Sequence, residues 1–134
     1  MMITRSQIRQ NRQIWIDFLM DSNRKKAKGL LARKGEHRCC LGHACYVFDN
    51  EFLEWNKDDY VLPCIFVETL GLYNNVGLTQ NSTTIELPGR GSFNTLADIN
   101  DRTNATPQEI GAYLLSVIEG GPDTPFSPLS EFLE

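Results

Sequence analysis

Arg38-Cys39-Cys40-Leu41-Gly42-His43-Ala44-Cys45 gathers three of the chain's four cysteines and one of its two histidines into eight residues. Three chemistries use such residue types. With His37 and Cys64, the group offers zinc ligands, but no Cys-x-x-Cys pair occurs and no second knuckle follows downstream, so the reading calls for packed cysteines, no metal and no cofactor. Cys39 or Cys40, near a helix start and beside Arg38, could supply a thiolate with His37 or His43 as base, yet no Asn or Asp is spaced to complete a catalytic set. The third chemistry is anion binding. A basic run entering a helix N-terminus presents side-chain cations and backbone N–H groups together. This nominates Arg33, Arg38, Cys39 and His43 as ligand contacts.

A second polar cluster, Asp98, Asn100 and Asp101, precedes the last predicted helix. Carboxylates there could do acid–base work, although capping and turn formation explain the same residues. Asn100 and Asp101 join the candidate ligand set. Asp101 is expected to be mainly structural, and Asn100 to reach either the ligand or the backbone of the Cys39-Cys40 segment, because a buried amide bridges donors and acceptors where an unpaired carboxylate is costly.

Charge divides the chain sharply. Residues 1–40 hold ten Lys/Arg against three Asp/Glu, and residues 41–134 hold three against fourteen, which accounts for the net charge of −4. Anions should prefer one end of the molecule and cations the other. The acidic total and the lack of a nucleic-acid module argue against DNA or RNA as partner. No P-loop or dinucleotide fingerprint occurs. No apolar run approaches the roughly 18 residues of a membrane span, and no leader-like stretch opens the sequence. The expected setting is the cytoplasm, with reduced thiols.

The elements that must position these residues are legible from periodicity and caps. Residues 5–22 read as a first helix, started by Thr4 or Ser6, with Ile8, Trp15, Phe18 and Leu19 inward and Arg5, Arg9 and Arg12 on a solvated face. Leu30 to Arg38 reads as a basic hairpin. Cys40 to about Asp49 should be a second helix burying Leu41, Ala44, Cys45 and Phe48. Residues 52–62 suggest another hairpin, and Pro63 opens a third helix that Gly71 ends. Val76-Gly77-Leu78 and Thr83–Leu87 suggest short strands. A helical segment over 95–101 precedes a helix announced by Thr106-Pro107-Gln108-Glu109, a capping box with Pro in first position. The expected fold class is α+β: three or four helices packed with one or two small antiparallel hairpins. Residues 1–121 should form one globular domain. Residues 122–134 read as an acidic, Pro-containing mobile tail whose Phe126, Leu129, Phe132 and Leu133 could dock on a partner or a second copy.

The order of landmarks resembles a family of small bacteriophage and prophage proteins. The resemblance runs over about residues 12–119 and rests on Lys28-Gly29-Leu30, Cys39-Cys40-Leu41-Gly42-x-x-Cys45, Leu62-Pro63, Leu70-Gly71-Leu72, Leu96-Ala97-Asp98-Ile99-Asn100-Asp101 and Glu109-Ile110. The chain departs from it at His43, where an aliphatic residue is usual, and at Thr103-Asn104, which replace a Gly-containing turn. The resemblance implies an accessory role: altering host metabolism or blocking a host defence by stoichiometric binding. The leading expectation is therefore a non-enzymatic protein that sequesters an anionic, nucleotide-type immune signal. The alternatives are an inhibitor that binds a host protein through its acidic face or tail, and a small thiol- or carboxylate-dependent nucleotide-processing enzyme.

Overall fold

Helix α1, Arg5–Met20, forms the spine against which the other elements pack. The computed structural model describes residues 3–26, 38–49 and 64–134. The expected hairpins over 30–38 and 52–62, and the start of the third helix at Pro63, lie outside those residues, apart from Arg38. After α1 come α2 (Cys40–Phe48), α3 (Cys64–Leu70), strands β1 (Ile85–Leu87) and β2 (Gly91–Phe93), α4 (Leu96–Arg102), α5 (Pro107–Ser116) and a 3-10 turn at Leu129–Glu131. The fold is α+β, with five α-helices and one two-stranded antiparallel sheet among the described residues.

Caps set the helix limits. Thr4 starts α1 through a capping box with Gln7, and Thr106 starts α5 through one with Glu109, with Pro107 in the first turn. Each satisfies otherwise orphaned backbone donors at the helix start. Of the two expected strands, Thr83–Leu87 is present as β1, Ile85–Leu87, and Val76–Leu78 is not a strand. Val76–Leu78 contributes only a single bridge, Leu78 to Thr95, because the Asn74 carboxamide oxygen accepts from the Val76 and Leu78 N–H groups and holds this stretch as a turn. The hairpin forms downstream instead, pairing Ile85 with Phe93 and Leu87 with Gly91.

α1 and α5 approach closely at Gly111. A Cβ there would stand 2.7 Å from Met20 Cγ and 3.1 Å from Leu19 Cβ. Around this contact Trp15, Ile16, Leu19, Leu70, Leu96, Ile99, Ile110, Leu114 and Phe126 form the core.

Arg12 corrects the expectation of a solvated arginine face. Arg5 and Arg9 do pair with Glu134 and Glu119 near the surface, but Arg12 is fully buried. Its guanidinium donates to four backbone carbonyls: Leu70 O at 2.8 Å, Gly71 O at 3.1 Å, Ile118 O at 2.8 Å and Ser127 O at 2.8 Å. The Phe126 ring lies 4.3 Å beneath it. Burial lowers its pKa to about 10, so the cation persists at neutral pH. It gathers carbonyls left over at the end of α3, beyond α5 and in the C-terminal segment. A planar fork of donors suits this work in a way that an ammonium does not.

Gly71 makes the arrangement possible. It ends α3 with φ of 66°, in the left-handed region that favours glycine. A side chain there would also come within 2.7 Å of the Arg12 guanidinium.

The C-terminal segment is likewise corrected. Phe126 is fully buried and stands edge-on to Trp15 at 6.1 Å, and Leu129 is buried too. The Ser127 N–H donates to Gly71 O at 2.8 Å, Leu129 N–H to Glu119 O at 3.0 Å, and the Tyr73 hydroxyl to Gly121 O at 3.0 Å. Arg5 adds bonds to the carbonyls of Leu129 and Phe132. The apolar residues that suggested a partner-docking tail are thus partly consumed by the chain's own core.

Arg12→Met should destabilise the fold by about 3–5 kcal/mol, since it strands buried carbonyls without returning a donor. Arg12→Lys should restore less than half of that, because one ammonium cannot reach all four acceptors. Urea unfolding of the three proteins checks both expectations.

Candidate functional site

The two sequence clusters meet at one peptide group. Cys40, the first residue of α2, donates its N–H to the Asn100 side-chain oxygen on α4 at 3.2 Å, and its carbonyl accepts from Trp15 Nε1 on α1 at 2.9 Å. Three helices are thereby pinned through one residue's backbone. The Cys40 thiol continues the clasp toward Leu96 O, at 3.8 Å. Asn100 is fully buried, and its amide nitrogen donates to the half-buried Asp101 carboxylate at 3.0 Å. Of the two expected destinations for Asn100, the backbone of the Cys39-Cys40 segment is therefore observed.

The cysteines are packing and capping groups. Cys39 is the N-cap of α2, its sulfur accepting from the Gly42 N–H at 3.2 Å, in the place where Ser or Asp usually supplies oxygen. Cys39, Cys40 and Cys45 are buried and reduced. Burial pushes the Cys39 thiol up to about 12, against helix N–H bonds that pull it down, and pushes Cys40 well above the usual range. Desolvation outweighs the helix-start N–H groups, which favoured a thiolate in the sequence. Nucleophilic chemistry at neutral pH is thus opposed at these two positions. Among the described residues, no three His, Cys, Asp or Glu side chains converge as metal ligands would. The side chain of Cys64 lies outside the described residues, as do Arg33 and His37.

Arg38 and His43 belong to a different assembly, stacked on the outer side of α2. The Arg24 guanidinium lies 3.5 Å over the Phe18 ring, Phe18 stacks on Tyr46 at 5.5 Å, and the Arg38 guanidinium lies 3.6 Å over Tyr46. This arginine–aromatic–aromatic–arginine pile carries two cations on a half-buried ring pair. His43 sets its edge against Phe18 at 5.6 Å. Its Nε2 is 2.7 Å from Lys25 O, which makes Nε2 the protonated nitrogen. The Arg38 N–H bonds the same Lys25 carbonyl. Nδ1 is buried without a hydrogen-bond partner among the described residues. Burial lowers the His43 pKa to about 4, and the nearby Arg38 and Arg24 charges act in the same direction.

The candidate ligand residues therefore fall into two groups. Cys39 caps α2, and Asn100, bonded to Asp101, clasps the adjoining Cys40 peptide. Arg38 and His43 form part of a cationic stack, which also recruits Phe18, Arg24, Lys25 and Tyr46. Sequence reasoning missed Trp15 and Lys26 as organisers. Lys26 Nζ donates to Thr103 O at 2.8 Å and Ala105 O at 2.6 Å, which fastens the turn between α4 and α5. Thr103, a point of departure from the phage-type pattern, bonds Ile99 O and the Ala105 N–H within that turn. A tryptophan on an inward helical stripe signals a need for a buried acceptor, and that signal was available in the sequence.

Two measurements probe these groups. Asn100→Ala should lower stability by about 1–3 kcal/mol, because a buried N–H loses its acceptor; Asp101→Ala should lower it less, and melting temperatures order the two. For His43, the folded pKa of about 4 lies below the ordinary value of 6.5. Protonation then favours the unfolded chain. The stabilisation is complete above about pH 6.5 and drains away as pH falls toward 4, by roughly 3 kcal/mol in all. The fall in stability between pH 7 and pH 4.5 should be smaller in His43→Leu than in the parent.

Comparison of the chain with models of protein families, with curated proteins and with solved structures returned no match.

Proposed function

We propose that the protein is a phage-type accessory binder that takes up a phosphate-bearing anion of nucleotide class and thereby withdraws a host defence signal. The observation that carries this reading is the Arg24–Phe18–Tyr46–Arg38 pile with Lys25 fastened beside it. The partly buried Arg24 guanidinium, held flat on the Phe18 ring, keeps a fixed orientation, and a planar guanidinium edge matches phosphate oxygens. The adjoining basic residues of the sequence, Lys28, Arg33 and Lys34, add to the same sign of charge. Sequestration fits the geometry better than thiol-dependent turnover, because burial holds Cys39 and Cys40 protonated. The phage setting and the host target rest on the sequence resemblance alone.

Binding to a panel of mono-, di- and cyclic nucleotides, followed by denaturation and analysis of the released compound, tests the proposal. Intact release is the expected result, a changed compound would indicate an enzyme, and no uptake would favour a protein partner for the acidic face. Charge reversal at Arg38 is a poor probe, because that side chain is buried on Tyr46. The double variant Lys25→Glu/Arg33→Glu should weaken nucleotide binding at least about tenfold with an unchanged melting temperature. Undiminished affinity in that variant would place the site elsewhere.

A further inference from the structure

The stretch that carries Arg24 and Lys25 is held with its carbonyls turned into the molecule. Asp21 O accepts from the Arg24 N–H at 3.0 Å and from Gln108 Nε2 on α5 at 2.6 Å. Arg24 O accepts from the same amide at 3.3 Å. Lys25 O accepts from His43 Nε2 at 2.7 Å and from the Arg38 N–H at 3.4 Å. One oxygen of the Asp21 carboxylate takes the Asn23 N–H at 2.9 Å, and the other stands 3.8 Å from the Arg24 guanidinium. Around the two cations, then, these acceptors are engaged within the protein. The cations themselves face the other way. Lys25 is exposed, and Arg24, anchored through Nε to Phe18 O at 2.9 Å, keeps 22% of its side chain exposed. Lys26 differs, since its ammonium is spent on the carbonyls of Thr103 and Ala105.

The neighbouring ring faces are engaged as well. Arg24 covers Phe18, Phe18 and Tyr46 cover each other, and Arg38 covers Tyr46. Proteins read nucleobases by stacking on them and by bonding edges that mix donors with acceptors. A base arriving beside Arg24 meets, among the described residues, rings already stacked and acceptors already bonded. A phosphate chain makes neither demand. Its oxygens are acceptors only, and a guanidinium edge with an adjacent ammonium satisfies them together.

We propose that this site reads the phosphate chain and not the base, so that its ligand class is the di- or triphosphate group itself, whatever carries it. The inference rests on the anion-binding reading above and narrows it. Affinity rises with the number of phosphates and falls as salt screens the two cations.

The test is calorimetric titration of the full-length protein at low ionic strength, without divalent metal, using inorganic triphosphate, ATP, GTP, CTP, UTP and adenosine. The nucleotides should bind within about threefold of one another and of inorganic triphosphate, and adenosine should give no binding heat. Lys25→Glu, which changes an exposed side chain, should weaken every phosphate compound by the same factor of about five to ten and leave the melting temperature in place. A preference of about tenfold or more for one base would overturn the inference and leave the anion-binding reading standing. Inorganic triphosphate binding about tenfold or more weakly than every nucleotide would do the same. Absence of binding by all the phosphate compounds would overturn both readings. Affinities untouched by Lys25→Glu would take the phosphates away from Arg24 and Lys25, and would overturn the inference too.

Discussion

A buried guanidinium that serves four backbone carbonyls is the constraint on which the remaining structure depends. Removing a cation from water is costly, and in a protein the usual remedy is a carboxylate partner. Here the remedy is dipolar. Leu70, Gly71, Ile118 and Ser127 turn their carbonyl oxygens to Arg12, and Phe126 supplies a ring face. Those oxygens belong to three segments distant in sequence, so their positions relative to α1 are tied to a single side chain. The end of α3, the exit from α5 and the seating of the C-terminal segment follow from it together.

The Cys40 peptide plays the matching role on the other side of α1. Its two hydrogen bonds, to Asn100 and from Trp15, dispose of a buried N–H and a buried carbonyl while setting the spacing of α1, α2 and α4. The Cys-Cys-Leu-Gly and Asn-Asp elements, which look like chemistry when read as residue types, are thereby bound to one another. Their polarity is directed inward, to backbone groups. The pile of Arg24, Phe18, Tyr46 and Arg38 is a separate assembly, in which Arg38 is buried on Tyr46 and Arg24 is only partly buried on Phe18. It is built on the outer side of the same helix whose inner side the clasp secures.

Local features were legible in the sequence because their physics is local. Thr106-Pro107-Gln108-Glu109 carries its cap within four residues, Gly71 ends α3 with a backbone conformation that glycine favours, and the inward stripe of α1 follows helical spacing. The burial of Trp15, Leu41 and Cys45 was readable in the same way. Arg12 was not, since its spacing from Arg5 and Arg9 matches a solvated stripe and its acceptors lie far along the chain. The C-terminal segment misled for the same reason: prolines and acidic residues describe its own composition, whereas Phe126 is placed by Trp15 and Arg12. In the candidate site, Asn100 was expected to reach either a ligand or the Cys39-Cys40 backbone, and it meets the Cys40 N–H. The separation of Cys39 from His43 into different assemblies depends on which side of α2 each side chain occupies, and that is settled by packing against α1.

The span between Arg12 and its acceptor on Ser127 is 115 residues, and it gives the order of synthesis a physical meaning. A ribosome adds roughly 5–20 residues each second, so about 6–23 seconds separate the arrival of the guanidinium from that of its last carbonyl. During that interval α1 can form, because Thr4 and Gln7 are already present. Its inner face nevertheless carries a charge whose destination has not yet been made. Trp15, too, lacks its Phe126 neighbour until nearly all of these 134 residues exist. Until the Ser127 carbonyl is made, the inner face of α1 carries a cation without its full set of acceptors. The residue that closes the finished core is thus among the first of its parts to be made and the last to be satisfied.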